Sequence, residues 1–438
     1  MRNVCVRINQ IVDTYHRYQN TTTLDLEQRC ITDQEAQHLA NVLHDNKTLT
    51  TLNLCCSDIS DQGLQYLADM LQENKTLVTL NLNWNCIRDA GVCYLANALE
   101  KNETLITLDL KNNKIGPEGA KHLASALQNN RTLTTLNLSD NRIHSQGAQS
   151  FANALKTNRT LTTLNLGNNE IHEGVEYLAD ALQDNDVLTT LDLGQNYIGC
   201  LGPQYLTNAL AEHKTFTIPN LCDDWIDSRG AQSLVNALKS NKTLTTLNLE
   251  TNAIHGEGIE YLANAFIENK TLTTLNLKSN PLEDHGALYV ASIIEKNKTL
   301  TTLILFFNDI GNQGADYLLN ALQKNKTLTT LSLGTVNIGD ERAKCLANIL
   351  QENKTLITID LSLTDIGPEG ISYLSNALKK NKTLTMLSLN RNRISEQGAQ
   401  HIASLLQENE TLTTLDLTNT GIGSQGVFFL ADALKENK

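Results

Sequence analysis

Leucine recurs along this chain in a fixed order. A Thr-Leu-Thr-Thr-Leu-Asn-Leu stretch alternates polar and apolar residues, and a Gly-Ala-x-x-Leu-Ala-x-Ala-Leu stretch then spaces its apolar residues three and four apart. The alternation predicts a strand buried on one face, and the second spacing predicts a helix with one apolar stripe. Residues 119–128 show the stripe: Gly119, Ala120, Leu123, Ala124, Ala126 and Leu127, ended by Asn129 and Asn130. Between the halves, an Asn-x-Ile-Gly segment reads as a turn whose Ile points inward.

The strand–turn–helix unit repeats. One position marks the period: Arg29, Ser57, Asn85, Asn113, Asn141, Asn169, Asn196, Asp224, Asn252, Asn280, Asn308, Val336, Thr364, Asn392 and Thr420. Thirteen of the fourteen intervals are 28 residues, and Asn169 to Asn196 is 27, so the array sets the fold ahead of any local detail. Residues 1–20, with Ile8, Ile11, Val12 and Tyr15 at helical spacing, are predicted to cap it, and residues 21–438 to form one domain of about 15 repeats. A helix separates successive strands, so they must run parallel. Strands stack ~4.8 Å apart whereas packed helices want ~8–10 Å. The predicted fold is therefore an α/β solenoid, a right-handed horseshoe with a parallel sheet on its concave face and helices on its convex face. Asparagine at the marker position is expected to bond the backbone of adjacent coils. Val336 cannot do so, Thr364 and Thr420 can in part, and Asp224 is expected to accept but not donate.

These phased copies are similar to leucine-rich repeats of the ribonuclease-inhibitor type. They most resemble the repeat regions of NLR-type immune receptors (the NLRC3-like class) and of Ran GTPase-activating proteins. The resemblance spans nearly the whole chain and implies a non-enzymatic scaffold that binds a partner protein on its concave face, with no cofactor. Function on such a fold resides in individual sites. One alternative is a GTPase regulator resembling the Ran GTPase-activating proteins, which would need specific residues in loops that are here short and nearly constant in length. Another is a host-directed effector of an intracellular bacterium that acts by protein binding. The sequence contains no G-x-x-x-x-G-K-[ST] phosphate loop of the kind a nucleotide-binding receptor module carries.

The net charge of −13 disfavours nucleic acid and anionic membrane as partners and favours a basic protein. The nine cysteines include no C-x-x-C pair, which suits free thiols in a reducing compartment. The N-terminal stretch lacks an apolar signal core, and no run approaches the ~20 apolar residues of a membrane span. The expected location is cytoplasmic, or host cytoplasm for an effector. Asn-x-Thr recurs in most repeats, for example at Asn74, Asn130 and Asn158. It reads as a left-handed helix end followed by a strand start rather than as glycosylation sites.

No catalytic constellation emerges. Gly421, Gly423 and Gly426 match G-x-G-x-x-G but occupy ordinary repeat positions, with no strand downstream. His144, His172 and His255 read as loop residues. Cys55, Cys56, Cys86 and Cys93 could cluster, with packing preferred to zinc, so no metal ligand is assigned. The candidate partner-binding residues are those that break the repeat: Trp84 beside Cys55 and Cys56; Pro219, Cys222, Asp223, Asp224 and Trp225; and Ile304, Phe306 and Phe307. Acids predicted on the inner face, Asp109, Asp192, Glu250 and Asp360 together with Asp25, Glu27 and Asp416, would suit a basic partner. The last helix, with Phe428 and Phe429, offers a surface for self-association.

Overall fold

A computed structural model describes residues 21–216 and 218–436. The expected cap with Ile8, Ile11, Val12 and Tyr15 lies outside the described residues. The chain divides into two compact units, Met1–Asp224 and Trp225–Lys438. In the first, strands β1 (Thr23–Asp25), β2 (Thr51–Asn53), β3 (Thr79–Asn81), β4 (Thr107–Asp109), β5 (Thr135–Asn137), β6 (Thr163–Asn165), β7 (Thr190–Asp192) and β8 (Ile218–Asn220) alternate with seven helices, from α1 (Asp33–His44) to α7 (Gly202–Glu212). The second unit runs from α8 (Ser228–Ser240) and β9 (Thr246–Asn248) to β15 (Thr414–Asp416) and α15 (Gly423–Glu436) in the same alternation. Within each unit the strands pair in parallel with their sequence neighbours, one repeat out of step. Leu136 faces Leu164, and Leu164 faces Leu191 across the 27-residue repeat. This is the predicted α/β repeat architecture.

Each repeat supplies its own slice of core. In one, Leu133, Leu136, Leu138, Ile143, Ala148, Phe151, Ala152 and Leu155 are at most 2% exposed. The strand leucines and turn isoleucine approach from one side and the helix stripe from the other. A single slice could not bury its apolar surface alone, so stability accrues from stacking neighbours.

In most repeats two buried asparagines satisfy the backbone where regular bonding stops. At the loop position, Asn141 Nδ2 donates to the Leu110 carbonyl one repeat back and to Leu138, both at 3.0 Å. Its Oδ1 accepts from Ile115 N at 3.1 Å. Asn85, Asn113, Asn169 and Asn280 repeat the pattern, as the sequence predicts. The Thr364 hydroxyl reaches Leu361 O (2.7 Å) and Asn392 Oδ1 (3.2 Å). Asp224 accepts backbone bonds at this position, as expected. Burial pushes its carboxyl up to about 8, against the pull of hydrogen bonds from the Asn196 and Ile198 backbones. It is therefore largely protonated at neutral pH, and a neutral carboxyl carries one donor and one acceptor, as an amide does. Its Oδ1 accepts from Asn196 N at 2.7 Å.

The second asparagine ends the helix, and here the left-handed expectation fails. Asn130 is extended, at φ −65° and ψ 136°. Its Nδ2 donates to Leu99 O of the previous helix (2.7 Å), while Oδ1 accepts from Thr132 N (3.0 Å) and Leu133 N (2.8 Å). The side chain closes the turn that a left-handed backbone would otherwise close, and it ties two coils together as well. At 2% exposure, with its amide nitrogen donating inward, Asn130 has no room for a glycan. His213 takes this position in one repeat, with Nδ1 accepting from Phe216 N at 3.1 Å. Burial holds its imidazole below the usual histidine range.

Helix starts are also shared between repeats. Asp284 Oδ1 in the first turn of one helix accepts from Gly311 N and Gly314 N of the next, both at 2.8 Å. A Cβ on Gly314 would stand 2.7 Å from that oxygen, so only glycine permits this approach.

Asp224 and His213 sit in one irregular coil and titrate in opposite senses. Asp224 is raised above its unfolded value of about 3.9, so its contribution is full below that pH and is lost as pH rises through about 8. His213 is lowered, so its contribution is present above about 6.5 and is lost as pH falls. Asp224→Asn should raise the thermal midpoint, by an amount that grows as pH rises from about 4 to about 8 and levels off above it. His213→Asn should help most below pH 6. Melting curves of both variants at pH 5, 7 and 9 check the opposite slopes, and parallel slopes would disprove the assignment.

Candidate functional site

The strand face begins with the third residue of each strand. In twelve of the fifteen repeats that Asn or Asp accepts, through its side-chain oxygen, the N–H two residues on. Asp109 takes Lys111 N (2.8 Å), Asp192 takes Gly194 N (3.0 Å) and Asp360 takes Ser362 N (3.0 Å). Asp192 also accepts from Asn220 Nδ2 (2.8 Å), and burial raises its carboxyl above the usual range. Asp360 accepts from Ser332 Oγ at 2.8 Å. Glu250 stands two residues beyond this position and is held by Lys278 Nζ (2.6 Å) and Asn276 Nδ2 (3.0 Å). All four acids therefore have partners within the array. Sequence reasoning offered them to a basic partner; for Asp109, Asp192 and Asp360 the recurrence of Asn or Asp at one slot was the signal that they close the strand exit.

The next two residues matter more. The residue just before the loop-asparagine position has a positive φ in all fifteen repeats, from Gln28 (57°) to Asn419 (54°). Gly, Asn and Asp tolerate that region, whereas a bulky side chain there is strained by roughly 1–2 kcal/mol. Trp84 (φ 56°) and Phe307 (φ 57°) occupy it, as do Cys56 and Asp223. Trp84 is 55% exposed and Phe307 49%, so neither ring recovers the strain by burial. Trp225 lies in a second left-handed position, just after Asp224, and is 69% exposed. Asp223 Oδ2 accepts from Gln195 Nε2 at 3.3 Å.

Ile304, Phe306 and Phe307 come together. Ile304 has no oxygen for the strand-exit bond and is half-buried between Asn276 and Ser332 in register. The Phe306 ring is half-buried and lies over Gly334 of the following repeat, where a Cβ would fall inside it. Phe307 meets Phe306 edge-on, with centroids 4.3 Å apart at 88°. Phe306 is thus accommodated by its neighbour, and Phe307 stands outward upon it.

Among the cysteines, Cys55 is buried and Cys56 half-buried, with their sulfurs 3.3 Å apart. Cys86 is exposed near Lys114 Nζ (3.8 Å). His144 pairs with Glu170 (3.4 Å) and His172 stacks on Tyr197 (5.9 Å) at the loop edge. Phe428 is 62% exposed on α15, and its ring lies 6.5 Å from that of Phe429. Lys111, Asp140, Gly167, Asp192, Gly194 and Cys222 help line a recess of about 130 Å³ on the strand face, too small for a drug-sized ligand.

The Phe306–Gly334 fit makes a thermodynamic cycle. Gly334→Ala should destabilise the protein by about 1–3 kcal/mol through overpacking. In a Phe306→Ala background the same change should cost far less, because the clashing ring is gone. Chemical denaturation of the four proteins measures the coupling, and additive effects would refute the packing.

Comparison with known proteins follows the same phasing. The family model described as "Leucine Rich repeat" matches residues 45–68, 73–96, 101–124, 129–152, 157–179, 240–263, 268–291, 296–319, 352–375, 380–403 and 408–431, more than half of the chain. The unmatched interval between 179 and 240 holds His213 and Pro219–Trp225, and that between 319 and 352 holds Val336. No curated protein sequence matches. Among solved structures, the chain is similar to an internalin from Listeria monocytogenes (18% identity, 94% of each chain, TM-score 0.45). It is also similar to Leiomodin-1 Actin-Binding Site 2 (24% identity, 34% of this chain and 86% of that one, TM-score 0.30). No described helix is long and apolar enough to cross a membrane. With that model matching eleven segments and more than half of its residues, the chain belongs to the leucine-rich repeat family.

Proposed function

We propose that this chain is a non-catalytic scaffold that grips a partner protein with the strand face and the left-handed loop residues that border it. One observation carries the reading: aromatic rings occupy strained left-handed positions while remaining half in solvent, at Trp84 and Phe307. Folding alone favours Gly or Asn there. Large exposed aromatics on a polar face are the residues that dominate interface energies. Within the family, the 28-residue strand–helix unit resembles the ribonuclease-inhibitor type, including the NLRC3-like repeats. The acids of the strand face suit a basic partner surface, although the internal bonds of Asp109, Asp192, Glu250 and Asp360 leave the aromatics as the principal anchors. Free thiols at each of the described cysteines suit a cytoplasmic setting.

Glycine at the two strained sites separates binding from folding. Trp84→Gly and Phe307→Gly should leave the thermal midpoint equal or raise it, by about 1 kcal/mol of relieved strain. Each anchor that contacts the partner should lower its retention in quantitative affinity capture by more than tenfold. Undiminished capture by both variants would end this reading. A GTP-hydrolysis assay against small GTPases tests the regulator alternative, which acceleration by the wild-type chain would favour.

A further inference from the structure

Three potential metal ligands converge at the strand exits of the first repeats. Among the described residues, Glu27, Cys55 and Cys56 form the one group whose ligand atoms lie within 4.8 Å of one another. Adjacent side chains in a strand point to opposite faces. Here the left-handed turn at Cys56 (φ 54°) brings both sulfurs to the same side, 3.3 Å apart. Glu27 occupies the position of Cys55 one repeat earlier, and the Gln28 N–H bond to Cys55 O (3.0 Å) fixes that register. Asn83 occupies it one repeat later and holds a buried side-chain oxygen with no hydrogen-bond partner. The Cys56 N–H bond to Asn83 O (2.9 Å) ties that strand to the pair.

We propose that Glu27, Cys55 and Cys56 bind a thiophilic divalent cation of the zinc class, with a fourth position open on the strand face. The spacing favours a metal over a disulfide. Two thiolates ~2.3 Å from a tetrahedral zinc stand about 3.8 Å apart, so the pair need open by only about 0.5 Å. A disulfide would have to close to about 2.05 Å between neighbouring residues, whose Cα atoms at 3.8 Å lie inside the usual 4.4 Å limit. Two sulfurs and a carboxylate select zinc or cadmium over calcium or magnesium. Three protein ligands with an exposed carboxylate leave the open geometry of a reactive or bridging site rather than a closed structural one. Asp109 adds negative charge nearby.

Binding displaces the two thiol protons into solvent, leaving two thiolates and one carboxylate on the dication. Affinity should therefore fall steeply as pH drops, because protons compete for the same sulfurs.

The test titrates Cd2+ into the reduced full-length chain and follows the thiolate-to-metal charge-transfer absorption, with Zn2+ as competitor. One equivalent should bind with release of two protons. Cys55→Ser and Cys56→Ser should each abolish the band, Glu27→Gln should weaken binding about tenfold or more, and Cys86→Ser should leave it intact. Melting curves without metal confirm that every variant folds. Absence of a band in the wild type, its survival in the Cys55→Ser/Cys56→Ser double variant, or equal affinity in Glu27→Gln would overturn the site.

Discussion

Each coil of this solenoid exposes backbone at two corners, where the strand leaves its ladder and where the helix stops. Both corners are buried against neighbouring coils, and an unbonded buried peptide group costs about 1–3 kcal/mol. The primary amide is the side chain that meets the constraint, since it donates and accepts at once. Asn141 bonds the strand side of two coils and Asn130 bonds their helix ends. The leucines supply the burial, but they would stack equally well slightly out of step. The asparagines set the register, because each reaches a particular carbonyl 31 residues back.

Much of this was legible in the sequence. The leucine alternation, the helix stripe, the inward isoleucine and the loop asparagine follow from spacing alone. The helix-end asparagine was recognised as a position but assigned the wrong backbone, because Asn is associated with left-handed ends. What spacing cannot show is that its side chain replaces that turn with hydrogen bonds to Thr132 N and Leu133 N. The left-handed position before the loop asparagine was hidden for a different reason. Its occupants include Gln28, Cys56, Trp84, Asp140, Thr251, Phe307, Leu363 and Arg391, so no residue type announces it. The backbone is held there mostly by main-chain bonds to the next coil, such as Trp84 N to Lys111 O at 2.9 Å, while Phe307 N donates to the Thr335 hydroxyl (2.8 Å) instead.

That largely main-chain hold bears on where function can reside. Most positions in a coil are committed: leucines to burial, asparagines to the backbone, and strand-exit acids such as Asp109 to the N–H two residues on. The left-handed position is committed chiefly through its main chain, although Thr335 uses its side chain to hold Phe307 N. Its side chain projects from a rigid turn and can change with little effect beyond local strain. Phe306 shows the contrast, since one position earlier a large ring required a vacancy at Gly334 of the next repeat.

The irregular coil around His213 and Asp224 shows how far the scaffold can bend its own rule. Both residues replace an amide with a group that stands in for its acceptor: a neutral imidazole that accepts from Phe216 N, and a carboxyl that accepts from Asn196 N. Burial favours their neutral states, because desolvation penalises the charged forms of both. The same burial that makes the amide necessary thus makes its titratable substitutes tolerable. In a stacked array such a defect weakens chiefly the interfaces it touches, so neighbouring coils keep their register. A fold held by many equivalent local bonds can therefore accumulate exceptions, and exceptions that face solvent are free to acquire a binding role.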